Sequence, residues 1–375
     1  MNHHFPEKIT GKPRILVAPL DWGLGHATRC IPLIRELLAQ DAEVWLAGES
    51  AQEKILKSEF PLLPILPLKG YRIKYAGTAA GLVWQMFRQL PRMKQAIRDE
   101  HEWLRNASSR FQFDAVISDN RYGLYHPGIP SVIMTHQLLI KTGWGKISER
   151  ILQEKNYRYI NRFRMCWVPD EDGPASFAGE LSHPARMPQI PVRYTGLLSR
   201  FSKGTVPVKK DHLLFLLSGP EPQRGILEKI FREQVVNYPG KAVLVRGLPG
   251  ADEVLQGTGE FRVFNHLDTQ SLGREMQEAE YVICRSGYST VMDAMTLGKK
   301  CIFIPTPGQT EQEYLGRYLM EKGIAICVSQ KNFSLPRALE QATGFNYRIP
   351  ETRTGSELTA VIRAFLDQAT GVALG

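Results

Sequence analysis

Cysteine is scarce in this chain, and the five present (Cys30, Cys166, Cys284, Cys301 and Cys327) are scattered without any CxxC spacing. An odd, dispersed set supplies neither a disulfide framework nor a zinc site, and it points to reduced thiols in the cytoplasm. Long apolar runs are missing as well. No stretch approaches the ~18 apolar residues of a membrane span. The opening residues, MNHHFPEKITGKPR, lack the apolar centre of a secretory signal. The glycine-rich turn DWGLGH at 21–26 is not followed by Gly-Lys-Ser/Thr, which excludes a P-loop. Thr28 stands where a dinucleotide fingerprint needs its third glycine. No internal repeat, low-complexity tract or nucleic-acid-binding motif stands out.

What is present describes an ordinary globular chain with an anionic partner. Of 375 residues, 43% are hydrophobic and 23% charged. That length predicts two domains rather than one core. A formal charge of +9 suits nucleotide phosphates or an acidic membrane surface, with nucleic acid the weakest candidate in the absence of a motif. Short apolar strands alternate with helical spacing along the whole chain, the pattern of α/β folds. The segment 196–211, GLLSRFSKGTVPVKKD, is rich in Ser, Gly, Lys and Pro and reads as the linker. It separates a first domain, 1–196, from a second, 197–354.

The most informative stretch is 282–298, VICRSGYSTVMDAMTLG. An apolar strand ends at Cys284, a small polar turn follows, and helical spacing runs from Tyr288 to a stop at Gly298. A strand feeding a helix in this way leaves backbone N–H groups at the helix start, where the helix dipole favours a phosphate. Ser286, Ser289 and Thr290 add hydroxyl donors. Asp293 lies within reach of two ribose hydroxyls. The polar loop 306–313, TPGQTEQE, carries amides and carboxylates suited to sugar hydroxyls. The plain alternative is a β-α-β unit with a capped helix.

The first domain opens with a strand at 14–20 (RILVAPL), the glycine turn, and an amphipathic helix at 27–40 with Ile31, Ile34, Leu37 and Leu38 inward. His26 sits at that helix start, where the dipole disfavours imidazolium and biases the ring toward a neutral base. Its alternative is a structural cap. The strands 114–118 (DAVIS) and 131–134 (SVIM) end in Asp119 and in Thr135-His136-Gln137. In an open parallel sheet such ends share the active-site edge with His26. Asp119 is read as the carboxylate that orients His26, or else as a strand-end cap.

From Cys284 through Gly323 the chain resembles the C-terminal half of glycosyltransferase family 28: CRSG, then Thr-Val, an acid, a Gly, an apolar strand ending in Pro, and a Gln-bearing helix start. The Gly25-His26 turn resembles that of the same family and of related sugar transferases. The resemblance implies a GT-B fold, two doubly wound Rossmann-like domains facing across a cleft, with the last helix (355–375) packing back on the first domain. It implies transfer of a sugar from a nucleotide-sugar donor, UDP-linked, to an acceptor hydroxyl, with inversion and without a metal or other cofactor. By the same resemblance Asp293 holds the ribose, and Gln309, Gln312 and Glu313 meet the sugar. Here Asp replaces the family's usual Glu, and Glu313 the second Gln of its pair. Arg285, Ser286, Gly287, Tyr288, Ser289 and Thr290 face the diphosphate together with Ser218, Gly219 and Arg224. Asn265 and His266 read the base. Gly25, His136 and Gln137 line the acceptor side.

Basic residues surround the apolar positions of GLVWQMFRQLPRM at 81–93 within the segment 69–110. This pattern suits a peripheral contact with an anionic, cytoplasm-facing membrane and a lipid-linked acceptor, or a helix packed on the sheet with a solvated rim. Asp170-Glu171-Asp172 has DxD spacing but lies before Gly173-Pro174 and reads as a loop rather than a metal site. Two rival functions share the donor pocket: a UDP-sugar 2-epimerase and a non-catalytic nucleotide-sugar binder.

Overall fold

Uniformly apolar segments become the strands of two parallel sheets, because a strand covered on both faces has no use for alternation. The computed structural model describes residues 8, 11–21, 23–71, 79–203, 211–251, 255, 257, 259–352 and 355–370, with the backbone alone at 50, 51 and 79–90. The first sheet uses β1 (Arg14–Pro19), β2 (Glu43–Gly48), β3 (Ile65–Pro67), β4 (Ala115–Asp119), β5 (Ser131–Met134), β6 (Met165–Val168) and β7 (Val192–Tyr194). Their order is β3-β2-β1-β4-β5-β6-β7. The second uses β8 (His212–Leu216), β9 (Lys241–Val245), β10 (Phe261–Phe264), β11 (Ala279–Cys284), β12 (Cys301–Phe303) and β13 (Ile326–Cys327). Its order is β10-β9-β8-β11-β12-β13. In both sheets the strand order reverses once, between β1 and β4 and between β8 and β11. Loops leaving the strand ends at such a reversal diverge and open a crevice.

The chain passes from the first compact unit to the second between Leu198 and Ser199, and its last helix belongs to the first. In the first unit α1 (Leu24–Ala39) follows β1, and Gly23 supplies the φ of 78° that starts it, a conformation glycine adopts without strain. Ile31, Ile34 and Leu37 are buried as their spacing predicts, while Leu38 stays 38% exposed at the rim. Trp45, Leu104, Phe113 and Val116 join one core under α3 (Ala79–Phe111). The closing helix α10 (Ser356–Thr370) puts Phe365 edge-on to buried Trp167 at 5.2 Å. In the second unit Phe215, Phe231, Ile283 and Ile302 share a core with α5 (Gln223–Val235) and α9 (Leu335–Gly344).

The apolar and basic stretch at 81–93 lies within α3, a helix of 33 residues with Pro91 inside. The membrane contact expected of 69–110 falls largely outside the described residues: 72–78 are not described, nor are the side chains of 79–90. Arg92, Lys94 and Arg98 are exposed. No helix among the described residues is long and apolar enough to cross a membrane.

A buried knot braces the edge where β1 and β4 end. Arg121, 1% exposed, donates from Nε to Glu100 at 2.8 Å and from Nη1 to the Pro19 carbonyl at 3.1 Å. The same guanidinium reaches the Lys69 carbonyl, and Tyr71 donates its hydroxyl to Glu100 at 2.8 Å. Burial pushes the Glu100 pKa up, against the pull of Arg121. Removing one partner of such a pair leaves an uncompensated buried charge, which costs about 3–5 kcal/mol. Glu100→Leu is therefore expected to lower the unfolding free energy of the first unit by that order, read from urea titrations. Glu100→Leu/Arg121→Met should recover most of the loss, and a double variant no better than the single would contradict the pairing.

Candidate active site

The register sets Pro19 of β1 opposite Asp119 of β4, so both strands end at one level. From that level α1 carries His26 back over the strand ends. His26 Nδ1 lies 2.9 Å from Asp119 Oδ2. The ring keeps 14% of its surface exposed, whereas the carboxylate keeps 1%. Both side-chain contacts that fix the ring fall on Nδ1.

A third member of this cluster was absent from the sequence reading. Arg29, 2% exposed, donates from Nε to Asp119 Oδ2 at 2.9 Å and from Nη2 to Oδ1. Its Nη2 also stands 2.9 Å from His26 Nδ1, and its Nη1 stands 3.4 Å from His136 Nδ1. A signal existed: Arg29 is one helical turn beyond His26, so the two share a face. Cys30 lies behind, with its sulfur 3.8 Å from Asp119, and burial pushes its thiol pKa up. His136 thus belongs to the His26 cluster, at 4% exposed. Gln137 is half-buried, its carbonyl accepting from Asn156 Nδ2 at 3.0 Å. The Gly25 carbonyl accepts from Thr28 Oγ1 at 3.1 Å.

Burial alone would raise the Asp119 pKa, but Arg29 and His26 outweigh it and hold the carboxylate at about 2. Burial and Arg29 lower the His26 pKa below 6.5, only partly opposed by Asp119.

The second unit repeats the arrangement at β8 and β11, where Leu216 pairs with Cys284. The helix α7 (Tyr288–Thr296) starts at Gly287 with no side-chain cap. A side chain at Gly287 or at Gly219 would meet open space, and Gly219 has a φ of 94°. Ser218 is half-buried and Thr290 likewise, with Ser289 beside it on the first turn of α7. Backbone donors and room therefore coincide at this turn.

The charged and polar side chains expected around it are used elsewhere. Arg285, 1% exposed, donates to the carbonyls of Ile304, Pro305 and Gln223 at 3.0, 3.1 and 3.0 Å. Burial brings its pKa down to about 10. It straps three loops together and does not reach toward a ligand, which corrects its expected phosphate role. Arg224 is corrected likewise: it is held between Glu221 and Glu228, and Glu228 also takes Arg246 at 2.8 Å. Ser286 is fully buried and donates to the Gln312 carbonyl at 2.8 Å, so its hydroxyl does not face a phosphate. The Gln312 side-chain oxygen accepts from the Thr306 amide at 2.9 Å, and Glu313 accepts from the Gly308 amide at 2.8 Å. Each keeps one polar side-chain atom beyond those bonds. Gln309 opens α8 (Thr310–Glu321) with no side-chain cap bond.

Asp293 is 9% exposed and accepts from Ser199 Oγ at 2.7 Å, with Arg200 Nε at 3.9 Å. Burial raises its pKa, opposed by Arg200 and Ser199. Asn265 accepts from Arg246 at 2.7 Å and donates to the Ala251 carbonyl at 3.1 Å, so its side chain serves the fold. His266 is half-buried, and burial together with Arg200 lowers its pKa. Asp170 accepts from Ser176, Ser182 and the amides of Glu171, Phe177 and Ala178, the role of a loop organiser. Among the described residues no group of three or more His, Cys, Asp or Glu side chains is arranged to hold a metal ion.

Residues 252–351 match the glycosyltransferase family 28 C-terminal domain. The UDP-N-acetylglucosamine--N-acetylmuramyl-(pentapeptide) pyrophosphoryl-undecaprenol N-acetylglucosamine transferase of Actinobacillus pleuropneumoniae is 23% identical over 83% of both chains. The glycosyltransferase SnogD from Streptomyces nogalater superposes with a TM-score of 0.59 at 15% identity, over 96% of this chain and 100% of that one. MurG of Acinetobacter baumannii does so at 0.51 and 15%, over 96% and 95%. The fold is that of GT-B glycosyltransferases, and the relatives place the chain among the glycosyltransferases, enzymes of the hexosyltransferase class. Its second unit carries the stretch that matches the C-terminal domain of glycosyltransferase family 28.

The Asp119 contacts have a pH signature. A carboxyl near 3.8 when unfolded and about 2 when folded contributes about 2 kcal/mol, present above pH ~4 and lost as pH falls toward 2. His26 adds a slope in the same direction, because the unfolded ring takes up a proton below about 6.5 while the folded ring resists. Asp119→Asn should therefore be least stable relative to wild type near neutrality, with the gap closing between pH 4 and 2 in urea titrations. A gap independent of pH would refute the assignment.

Proposed function

We propose that the enzyme transfers a glycosyl group from a UDP-sugar to an acceptor hydroxyl with inversion and without a metal ion. The observation that carries this reading is the 2.9 Å contact of His26 with Asp119 at the end of β4. A buried carboxylate that receives the Nδ1 proton turns Nε2 toward the substrate as a base and stabilises the cation formed on proton uptake. The acceptor oxygen attacks the anomeric carbon and its proton passes to His26 Nε2. The bond from that carbon to the phosphate oxygen breaks, and UDP departs with the electron pair. A single displacement of this kind inverts the anomeric centre.

The departing diphosphate needs positive potential. Arg285 and Arg224 are occupied, so the amides of Tyr288, Ser289 and Thr290 and the dipole of α7 take that role, helped by Ser218 and the Gly219 backbone. Asp293 takes the ribose hydroxyls in place of Ser199. Gln309 and the remaining polar atoms of Gln312 and Glu313 take the sugar, and the backbone at Asn265 and His266 takes the base. The lipid-linked substrate in the relative's name, with the +9 charge, supports a lipid-linked acceptor and a peripheral place on the cytoplasmic face of a membrane.

A thermal-shift screen of nucleotide sugars tests the donor half. A donor at 100 times its dissociation constant adds about 2.7 kcal/mol, and Asp293→Ala should abolish that gain. His26→Ala should keep the gain yet lower transfer by about 10²–10⁴. Transfer at the wild-type rate in His26→Ala would sink the base assignment, and a gain that survives in Asp293→Ala would sink the ribose assignment.

A further inference from the structure

The established chemistry of a His-Asp pair leaves Arg29 without a role, yet this side chain touches every member of the cluster. Its Nε and Nη2 take both oxygens of Asp119. The same Nη2 stands 2.9 Å from His26 Nδ1, as close as the carboxylate does. The groups facing the imidazole are Arg29 from its own helix, Asp119 from the end of β4 and His136 from the segment after β5. One anion and one cation, both buried, therefore meet the ring on the same nitrogen. With the Nδ1 proton given to Asp119, the Arg29 contact is a close approach of charge rather than a hydrogen bond, and it adds to burial, the larger effect, in opposing protonation of the ring.

We propose that Arg29 is a positioning residue for the transfer reaction: its fork locks the Asp119 carboxylate in the orientation that holds His26, and its charge keeps the imidazole unprotonated until an acceptor hydroxyl arrives. This inference rests on the reading of His26 as the base. The physical logic is a division of labour. Asp119 without a counter-charge would attract a proton to His26 and leave a resting imidazolium, which cannot accept another. A guanidinium keeps its proton at every working pH, so it neutralises the carboxylate without itself joining the proton transfer. The ring is then ready at neutral pH and releases its proton readily after turnover. The same guanidinium excludes an alternative arrangement in which Asp119 rotates away, because both oxygens are already bound.

Titration of the His26 ring by NMR in the intact protein reads this directly, without any substrate. Wild-type His26 is expected to protonate below pH 6.5. Arg29→Met should raise its proton affinity by at least about tenfold, one pKa unit, and move the acidic limb of kcat/KM upward with it. Arg29→Lys keeps the cation but loses the fork, so the titration should stay near wild type while kcat falls and donor KM holds. A folded Arg29→Met with unchanged titration overturns the proposal, as does Arg29→Lys with unchanged kcat. Should the methionine variant not fold, wild-type protonation at or above pH 6.5 alone overturns it. Failure of the base reading looks different: His26→Ala would retain transfer while the Arg29 titrations still shifted.

Discussion

A carboxylate buried to 1% exposure at the end of a parallel strand must be neutralised, and the pairing of Asp119 with Arg29 does that. An uncompensated charge in this position would cost several kcal/mol, so the first unit could not place an acid here without also placing a base. That requirement explains why a helix with an otherwise apolar inner face carries an arginine on it. Burial first, and Arg29 beside it, lower the His26 pKa against the pull of Asp119. The Glu100–Arg121 pair performs the related task one layer away, tying the backbone at Pro19 and Lys69 beside the strand ends from which the site is built.

The second unit solves a different problem. The diphosphate site proposed here needs positive potential, and cationic side chains would be the obvious source. Arg285 and Arg224 are instead bound to carbonyls or carboxylates. What remains is the start of α7 with its glycine turn and no side-chain cap. Backbone dipoles are fixed in place and need no reorganisation as charge develops, which favours them over flexible cations in a transferase. Arg285 contributes indirectly by fixing the loops after β11 and β12, and through them the direction of the turn. Ser286 does the same by donating to the Gln312 carbonyl, and Gln312 by accepting from the Thr306 amide.

Asp293 joins the two problems. Its neighbour Ser199 belongs to the residues at which the chain enters the second unit. A carboxylate that accepts from this segment in the free protein and from a ribose in the loaded one would make donor binding and the entry segment compete for the same oxygen.

Much of this was legible in the residues alone. Strands at 131–134, 165–168 and 241–245 follow from short apolar runs, and the glycine turns before α1 and α7 from composition, because local chemistry dictates both. The pairing of His26 with Asp119 was also within reach, since strand ends of a parallel sheet share an edge. The helices α2 (Ser50–Glu59), α4 (Lys146–Ile160) and α6 (Thr269–Glu278) were not drawn, being short or rich in polar residues. Which cation serves a ligand and which serves the fold was decided only by tertiary structure. Arg29, Arg224 and Arg285 are the same residue type at similar places after a strand, and nothing local distinguishes them. Their roles depend on acceptors up to some ninety residues away, such as Asp119 for Arg29, and a guanidinium bonds to whichever oxygen the fold brings within about 3 Å. Sequence therefore determined the sheets, the turns and the place of His26 at a strand-end turn, while long-range packing determined the partners around it.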